Sequence, residues 1–181
     1  ILRYRSFICR GGGVTISGGE PLVQAEFCAD LFRRLKQEGI HTALDTSGMG
    51  NLETARKVLA YTDLVLCDLK FPSEEGYKKY CHGSLRHVLD FLDIVTEKHI
   101  PVWIRHVVVP GLTDSKENIR QIAQIASKYP SVEKIELLPF KKICLSKYEN
   151  LGLKFPLQDV PECGQQAVEN LYPIIEKNFK R

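Results

Sequence analysis

Apolar positions along the chain follow two periods that alternate from end to end. Short runs rich in β-branched residues or leucine, such as Val14-Thr15-Ile16, Leu64-Val65-Leu66 and Val107-Val108-Val109, read as strands. Between them, apolar residues recur on one face with charges on the other, which reads as helix. This pattern predicts strands over 13–17, 40–46, 63–69, 101–109 and 132–138. It predicts helices over 21–38, 51–61, 84–99, 115–129 and 161–178, with a short one over 73–80. In the first helix Phe27, Leu31 and Leu35 mark the apolar face and Gly39 the C-terminal cap. Pro173 should kink or shorten the last helix. Residues 1–10 show no complete element, and 140–160 read as irregular.

Five strand–helix repeats of these lengths imply an α/β fold with a parallel sheet and helices outside it. Five are too few for a closed eight-stranded barrel. An open, partial (β/α) barrel fits, and so does a doubly wound sheet. At 181 residues the expectation is one domain spanning 1–181.

Polar residues at the strand ends sharpen the picture. The stretch 11–22, Gly-Gly-Gly-Val-Thr-Ile-Ser-Gly-Gly-Glu-Pro-Leu, reads as strand, tight turn and helix start. Gly18 and Gly19 permit close backbone approach there, and Glu20 is held at the C-terminal end of the strand, where barrel enzymes keep their active-site groups. The next strands end at Asp45, at Asp68 with Lys70, and at Arg105. In period two, Leu64, Leu66, Asp68 and Lys70 share one face, as do Trp103, Arg105, Val107 and Val109. Arg105 inside so apolar a run requires a carboxylate or a ligand beside it. Two readings stay open: a structural ion-pair network closing the rim, or a site for a zwitterion whose ammonium meets acids and whose carboxylate meets Lys70 or Arg105. The five histidines do not cluster. His106 reads as a packed or exposed residue rather than a base, and Trp103 as core.

Composition excludes more than it assigns. A net charge of +3, with no basic run longer than two residues, gives no footprint for nucleic acid. No apolar run approaches the ~20 residues of a membrane span. The six cysteines form no Cys-x-x-Cys pair and no zinc spacing, which suits reduced thiols in a reducing cytoplasm.

Five ordered motifs add a resemblance. They are residues 11–22, Leu-Asp-Thr-Ser-Gly at 44–48, Asp-Leu-Val-Leu-Cys-Asp-Leu-Lys at 63–70, Trp-Ile-Arg-His-Val-Val-Val-Pro-Gly at 103–111, and Val-Glu-Lys-Ile-Glu-Leu-Leu-Pro at 132–139. Over nearly the whole chain these resemble the glycyl-radical-enzyme activases, radical S-adenosylmethionine proteins built as a partial barrel of six strands. The resemblance implies that Gly18, Gly19, Glu20, Asp45, Asp68, Lys70 and Arg105 bind S-adenosylmethionine. It implies that Lys141 stands where the family has a ligand-side histidine, and that Asp45, Thr46 and Asp68 surround a monovalent cation. The implied reaction is reductive cleavage of S-adenosylmethionine by a 4Fe-4S cluster, with a hydrogen then taken from a glycine of the partner. That partner is a glycyl radical enzyme of the pyruvate formate-lyase type, and the electron donor a flavodoxin or ferredoxin, in an anaerobic cytoplasm.

The family's Cys-x-x-x-Cys-x-x-Cys cluster motif has no counterpart among these cysteines. The expectation is therefore a fragment in which five strands of six are visible, with no catalytic residue for the cluster step and no activity by itself. Two other functions compete: a non-catalytic module binding S-adenosylmethionine or the partner, and a barrel aldolase using Lys70 as a Schiff-base amine. An exposed sheet edge would favour self-association.

Overall fold

The computed structural model describes residues 1–8 and 11–179, so Cys9 lies outside the described residues. Five strands, β1 (Gly13–Ile16), β2 (His41–Thr46), β3 (Leu64–Asp68), β4 (Val102–Val108) and β5 (Val132–Pro139), form one sheet in the order β1-β2-β3-β4-β5. All four pairings are parallel. Helices α1 (Ala25–Gln37), α2 (Leu52–Leu59), α3 (Leu85–Glu97) and α4 (Lys116–Ala126) form the crossovers. The strand order equals the chain order, which selects the open partial barrel over the doubly wound sheet, whose order reverses at a switch point.

One face of the sheet lies under the helices. Val65, Cys67 and Leu69 of the β3 region, and Val102, Ile104, His106 and Val108 of β4, are all buried. Their alternates, Leu64, Leu66 and Asp68 with Trp103, Arg105 and Val107, turn to the concave face, in the register Leu66↔Trp103 and Asp68↔Arg105. The helices enter the core through Phe32, Val58, Phe91 and Ile122, within one apolar cluster. Side-chain caps hold three helix starts: Asn51 accepts from the Thr54 amide, Ser84 from His87 and Ser115 from Asn118, each worth about 1 kcal/mol.

Several sequence expectations are corrected. Residues 2–8, expected to hold no complete element, form a 3-10 turn and a four-residue helix, Arg5–Ile8. The first crossover opens with a 3-10 turn, Pro21–Gln24, before α1 begins. That turn changes the phase, so Cys28, Phe32 and Leu35 face the core while Phe27 is 65% exposed. Trp103 is not core: it lies on the concave face with the Lys134 ammonium 4.7 Å from its ring centroid. The irregular stretch contains a short helix, α5 (Leu145–Asn150). The last helix is two, α6 (Gln165–Glu169) and α7 (Tyr172–Asn178), and Pro173 sits in the first turn of the second, where its missing N–H costs nothing. The segment after β3 continues from a single turn, Glu74–Gly76, into a π-helical turn, Tyr77–Cys81, that ends at His82 in the left-handed region.

Candidate active site

The C-terminal ends of β1 to β4 gather the polar residues singled out from the chain. After β1 the backbone turns at Gly18, with φ +131°, a conformation that side chains rarely adopt. A Cβ at Gly18 or at Gly19 would meet nothing within 4 Å, so both backbones border open space. Glu20 closes this loop and is spoken for. One carboxylate oxygen accepts from the Leu22 amide (3.0 Å) and the Thr46 hydroxyl (2.6 Å), and the other from the Ser47 amide (2.9 Å) and hydroxyl (2.6 Å). Burial opposes the charge on Glu20, but the four donors outweigh it and hold the carboxyl below the usual glutamate range. Glu20 therefore ties the β1 loop to the end of β2 and caps the following turn, and its own carboxylate is saturated.

Arg105 supplies the second tie. Its guanidinium bonds Asp45 through one terminal nitrogen. The same nitrogen lies 2.9 Å from Asp68 Oδ1, and Nε lies 3.2 Å from that oxygen. Asp45 also accepts from the Ser17 hydroxyl at 2.8 Å. The cation expected from the polar-in-apolar pattern thus meets two carboxylates, Asp68 on the adjacent strand β3 and Asp45 on β2 beyond it. Lys70 stands differently. Its ammonium is 3.8 Å from Asp68 and the side chain is 47% exposed, so it remains open to a further anion.

Beside this rim the concave face forms a chamber of about 330 Å³. Asp68, Lys70 and Arg105 line one part of it. Aromatic and aliphatic side chains line the rest, among them Phe71, Tyr80, Phe140, Tyr148 and Phe155. Phe71 and Tyr80 are stacked, 5.1 Å between centroids. A cavity of this size, apolar with a few convergent charges, has the composition of a small-molecule site.

Other singled-out residues sit elsewhere. Lys141 does not line the chamber; its ammonium reaches Glu162 at 3.2 Å. Thr46 spends its hydroxyl on Glu20 and accepts from the Gly48 amide at 3.0 Å. The guanidinium lies between Asp45 and Asp68, and among the described residues no three of His, Cys, Asp and Glu gather to hold a metal ion. His106 is fully buried, the packed alternative of its sequence reading. Sequence reasoning missed Ser47 and Tyr77, whose roles depend on contacts across the fold. Ser47 did carry a signal, since it directly follows the singled-out Asp45 and Thr46.

Residues 3–123 match the radical SAM superfamily. Together with the parallel partial barrel and the charged strand ends, this defines the chain as a radical S-adenosylmethionine protein. It is 48% identical over 180 residues to the pyruvate formate-lyase-activating enzyme of Clostridium pasteurianum, spanning 98% of this chain and 74% of that protein. It is 36% identical over 187 residues to the enzyme of the same name from Staphylococcus epidermidis, again spanning 74% of that protein. A solved domain of pyruvate-formate lyase-activating enzyme from Bacteroides vulgatus superposes with a TM-score of 0.74 at 28% identity, covering 93% of this chain and 95% of that one. A radical SAM methyltransferase from Sphaerobacter thermophilus shares the fold, with a TM-score of 0.72 at 15% identity. The chain belongs to the pyruvate formate-lyase-activating enzyme family.

That family implies S-adenosylmethionine and a 4Fe-4S cluster, and the residues present fit them unequally. The open backbone at Gly18 and Gly19, the exposed Lys70 ammonium and the adjoining apolar chamber suit an amino acid joined to a nucleoside. The described cysteines do not suit a cluster. Cys28, Cys67 and Cys163 are buried singly, and burial pushes the Cys67 thiol up, against the thiolate a cluster needs. Among the described residues no helix is long and apolar enough to cross a membrane.

Proposed function

We propose that the rim and chamber together bind S-adenosylmethionine, and that the protein is of the glycyl-radical activase type that acts on pyruvate formate-lyase or a related glycyl radical enzyme. The observation that carries this reading is Arg105. By engaging Asp45 and Asp68 it offsets one of their two negative charges and ties three strand ends beside the open Gly18-Gly19 loop. Backbone groups of that loop would receive the ligand's ammonium, and Lys70 its carboxylate. The chamber would take the apolar and aromatic remainder and exclude water from it. S-adenosylmethionine supplies a 5′-deoxyadenosyl group as the hydrogen acceptor in this chemistry. The chain's own residues bind and orient it.

In this reading Glu20 is scaffold rather than ligand, Lys141 lies outside the first contacts, and Asp45, Thr46 and Asp68 are occupied by protein partners in place of a cation. The glycine-bearing partner would be an enzyme of the pyruvate formate-lyase class, and the electron donor a flavodoxin or ferredoxin, in an anaerobic cytoplasm, with residues 1–181 as one domain. The exposed edge at β1 supports a tendency to self-associate. An aldolase reading is disfavoured by the setting of Lys70, exposed and paired with Asp68 at 3.8 Å rather than enclosed in the apolar pocket that activates a Schiff-base amine.

Equilibrium dialysis against labelled S-adenosylmethionine tests the reading. One equivalent bound, displaced by S-adenosylhomocysteine, is the expected result. No saturable binding at millimolar ligand contradicts it.

A further inference from the structure

Lys70 raises a physical question. Strand β3 ends at Asp68, and the last backbone bond to β4 runs from the Leu69 amide to the Arg105 carbonyl at 3.0 Å. The alternation that directs Lys70 to the same face as Asp68 holds only while the backbone stays extended. Beyond Leu69, among the described residues, no backbone ladder bond to β4 enforces that. The next peptide unit, between Leu69 and Lys70, is instead gripped by two side chains. His106 Nδ1 is 2.7 Å from the Leu69 carbonyl oxygen, and the Lys70 amide donates to the Tyr77 hydroxyl at 3.0 Å. In a trans peptide the C=O and N–H point in opposite directions, so the two grips act from opposite sides of one rigid plane.

Both gripping residues are held firmly. Tyr77 is 1% exposed and His106 not at all. His106 Nε2 lies 3.1 Å from the Asn118 amide nitrogen, which also donates to the Thr113 carbonyl at 2.9 Å. The Thr113 contact orients the Asn118 amide so that its nitrogen faces the ring. Nε2 must then accept, and the proton sits on Nδ1, aimed at Leu69. Burial holds the imidazole below its ordinary pKa, in keeping with a neutral ring. Asn118 is anchored in turn by the first turn of α4, its backbone N–H donating to the Ser115 hydroxyl at 3.1 Å.

We propose that Tyr77 and His106 are positioning residues for the ligand site, locking the Leu69–Lys70 peptide so that the Lys70 ammonium stays at the chamber mouth to meet the ligand carboxylate. This rests on the S-adenosylmethionine reading of the chamber. Neither residue touches the ligand, and both act through the direction they impose on Lys70.

The test is a double-mutant cycle read by S-adenosylmethionine affinity, with a melting temperature for each variant. Tyr77→Phe and His106→Leu should each weaken binding about tenfold. His106→Asn, which can still present a donor to the Leu69 carbonyl, should restore most of the loss. In a Lys70→Met background Tyr77→Phe should change affinity less than about twofold, because the group it positions is gone. The core variant Ile122→Val, chosen to match the loss in melting temperature, should leave affinity unchanged. An undiminished effect of Tyr77→Phe in the Lys70→Met background overturns the proposal, as does an unchanged affinity in both single variants. Hydrogen exchange at the Lys70 amide decides the matter without ligand, even if the unaltered chain binds none and the site reading fails. The proposal expects that amide to be protected in the unaltered chain and at least about tenfold less so in Tyr77→Phe. Equal exchange in the two overturns it.

Discussion

Arg105 and His106 are consecutive residues of β4 that face opposite ways, and each organises one side of the sheet. Arg105 points into the concave face, where it bonds Asp45 and Asp68 and keeps a fifth of its side chain in water. His106 points under the helices, wholly buried, and holds the Leu69 carbonyl and Asn118 through neutral hydrogen bonds. The charged side is tied by ions and borders the chamber proposed to take a charged ligand. The buried side is tied by uncharged bonds because a charge there would have no water and no counter-ion. On the proposed reading the two faces of one strand divide the work, one toward the ligand and the other toward the packing that holds the strand ends.

Breaking the charged side has the largest expected effect. Arg105→Leu leaves the Asp45 and Asp68 carboxylates facing each other, partly buried and without their cation. Removing one partner of such a cluster costs about 3 kcal/mol. A urea unfolding titration checks the value, and S-adenosylmethionine binding should be lost with it. Breaking the buried side is next. His106→Leu leaves the Leu69 carbonyl unpaired and costs about 2 kcal/mol. Its binding loss should be partial, about tenfold, because the charged side survives. Equal binding losses in the two variants would dissolve the distinction.

Acid separates the two sides without a mutation. The folded-state pKa of His106 is depressed, so the unfolded chain binds more protons than the folded one just below the ordinary histidine value. Its contribution is whole above about pH 6.5 and falls away as pH drops toward the depressed value. Glu20 is also depressed, by its four donors against the opposing effect of burial. Its contribution is therefore lost at lower pH, through and beneath the usual glutamate range. Chemical denaturation followed from pH 8 to pH 3 should show two stages of weakening. Only the first should flatten in His106→Asn. A single stage untouched by that substitution would contradict the assignment.

The smallest expected effect lies away from both sides. Asn51→Ala removes the cap of α2 and costs about 1 kcal/mol in thermal unfolding. S-adenosylmethionine affinity should not change, which sharpens the contrast with residues acting through Lys70.

The charged side was legible in the sequence, and the buried side was not. Asp68 and Arg105 interrupt apolar runs in period two, and a charge there demands a partner whatever the fold. The β-branched runs and intervening amphipathic stretches also marked all five strands and their crossovers. His106 is an ordinary polar residue by sequence, and Tyr77 sits in a π-helical turn with no periodic signature. Their meeting at one peptide depends on how β3, β4 and the loop between them pack. Glu20 stood out by position, while its bonds to Thr46, Ser47 and Leu22 are a tertiary fact with no signature in the sequence. The phase of α1 failed for a local reason, since the 3-10 turn at Pro21–Gln24 shifts the face by one residue and leaves Phe27 outside.

The central claim is that the strand ends and chamber form one site for S-adenosylmethionine, and locating the ligand tests it most directly. In a crystal of the chain grown with S-adenosylmethionine, the amino-acid end should lie between the Gly18-Gly19 backbone and the Lys70 ammonium, with the nucleoside toward the chamber. Ligand density anywhere else, or a chamber still empty of ligand at saturating concentration, would contradict the account.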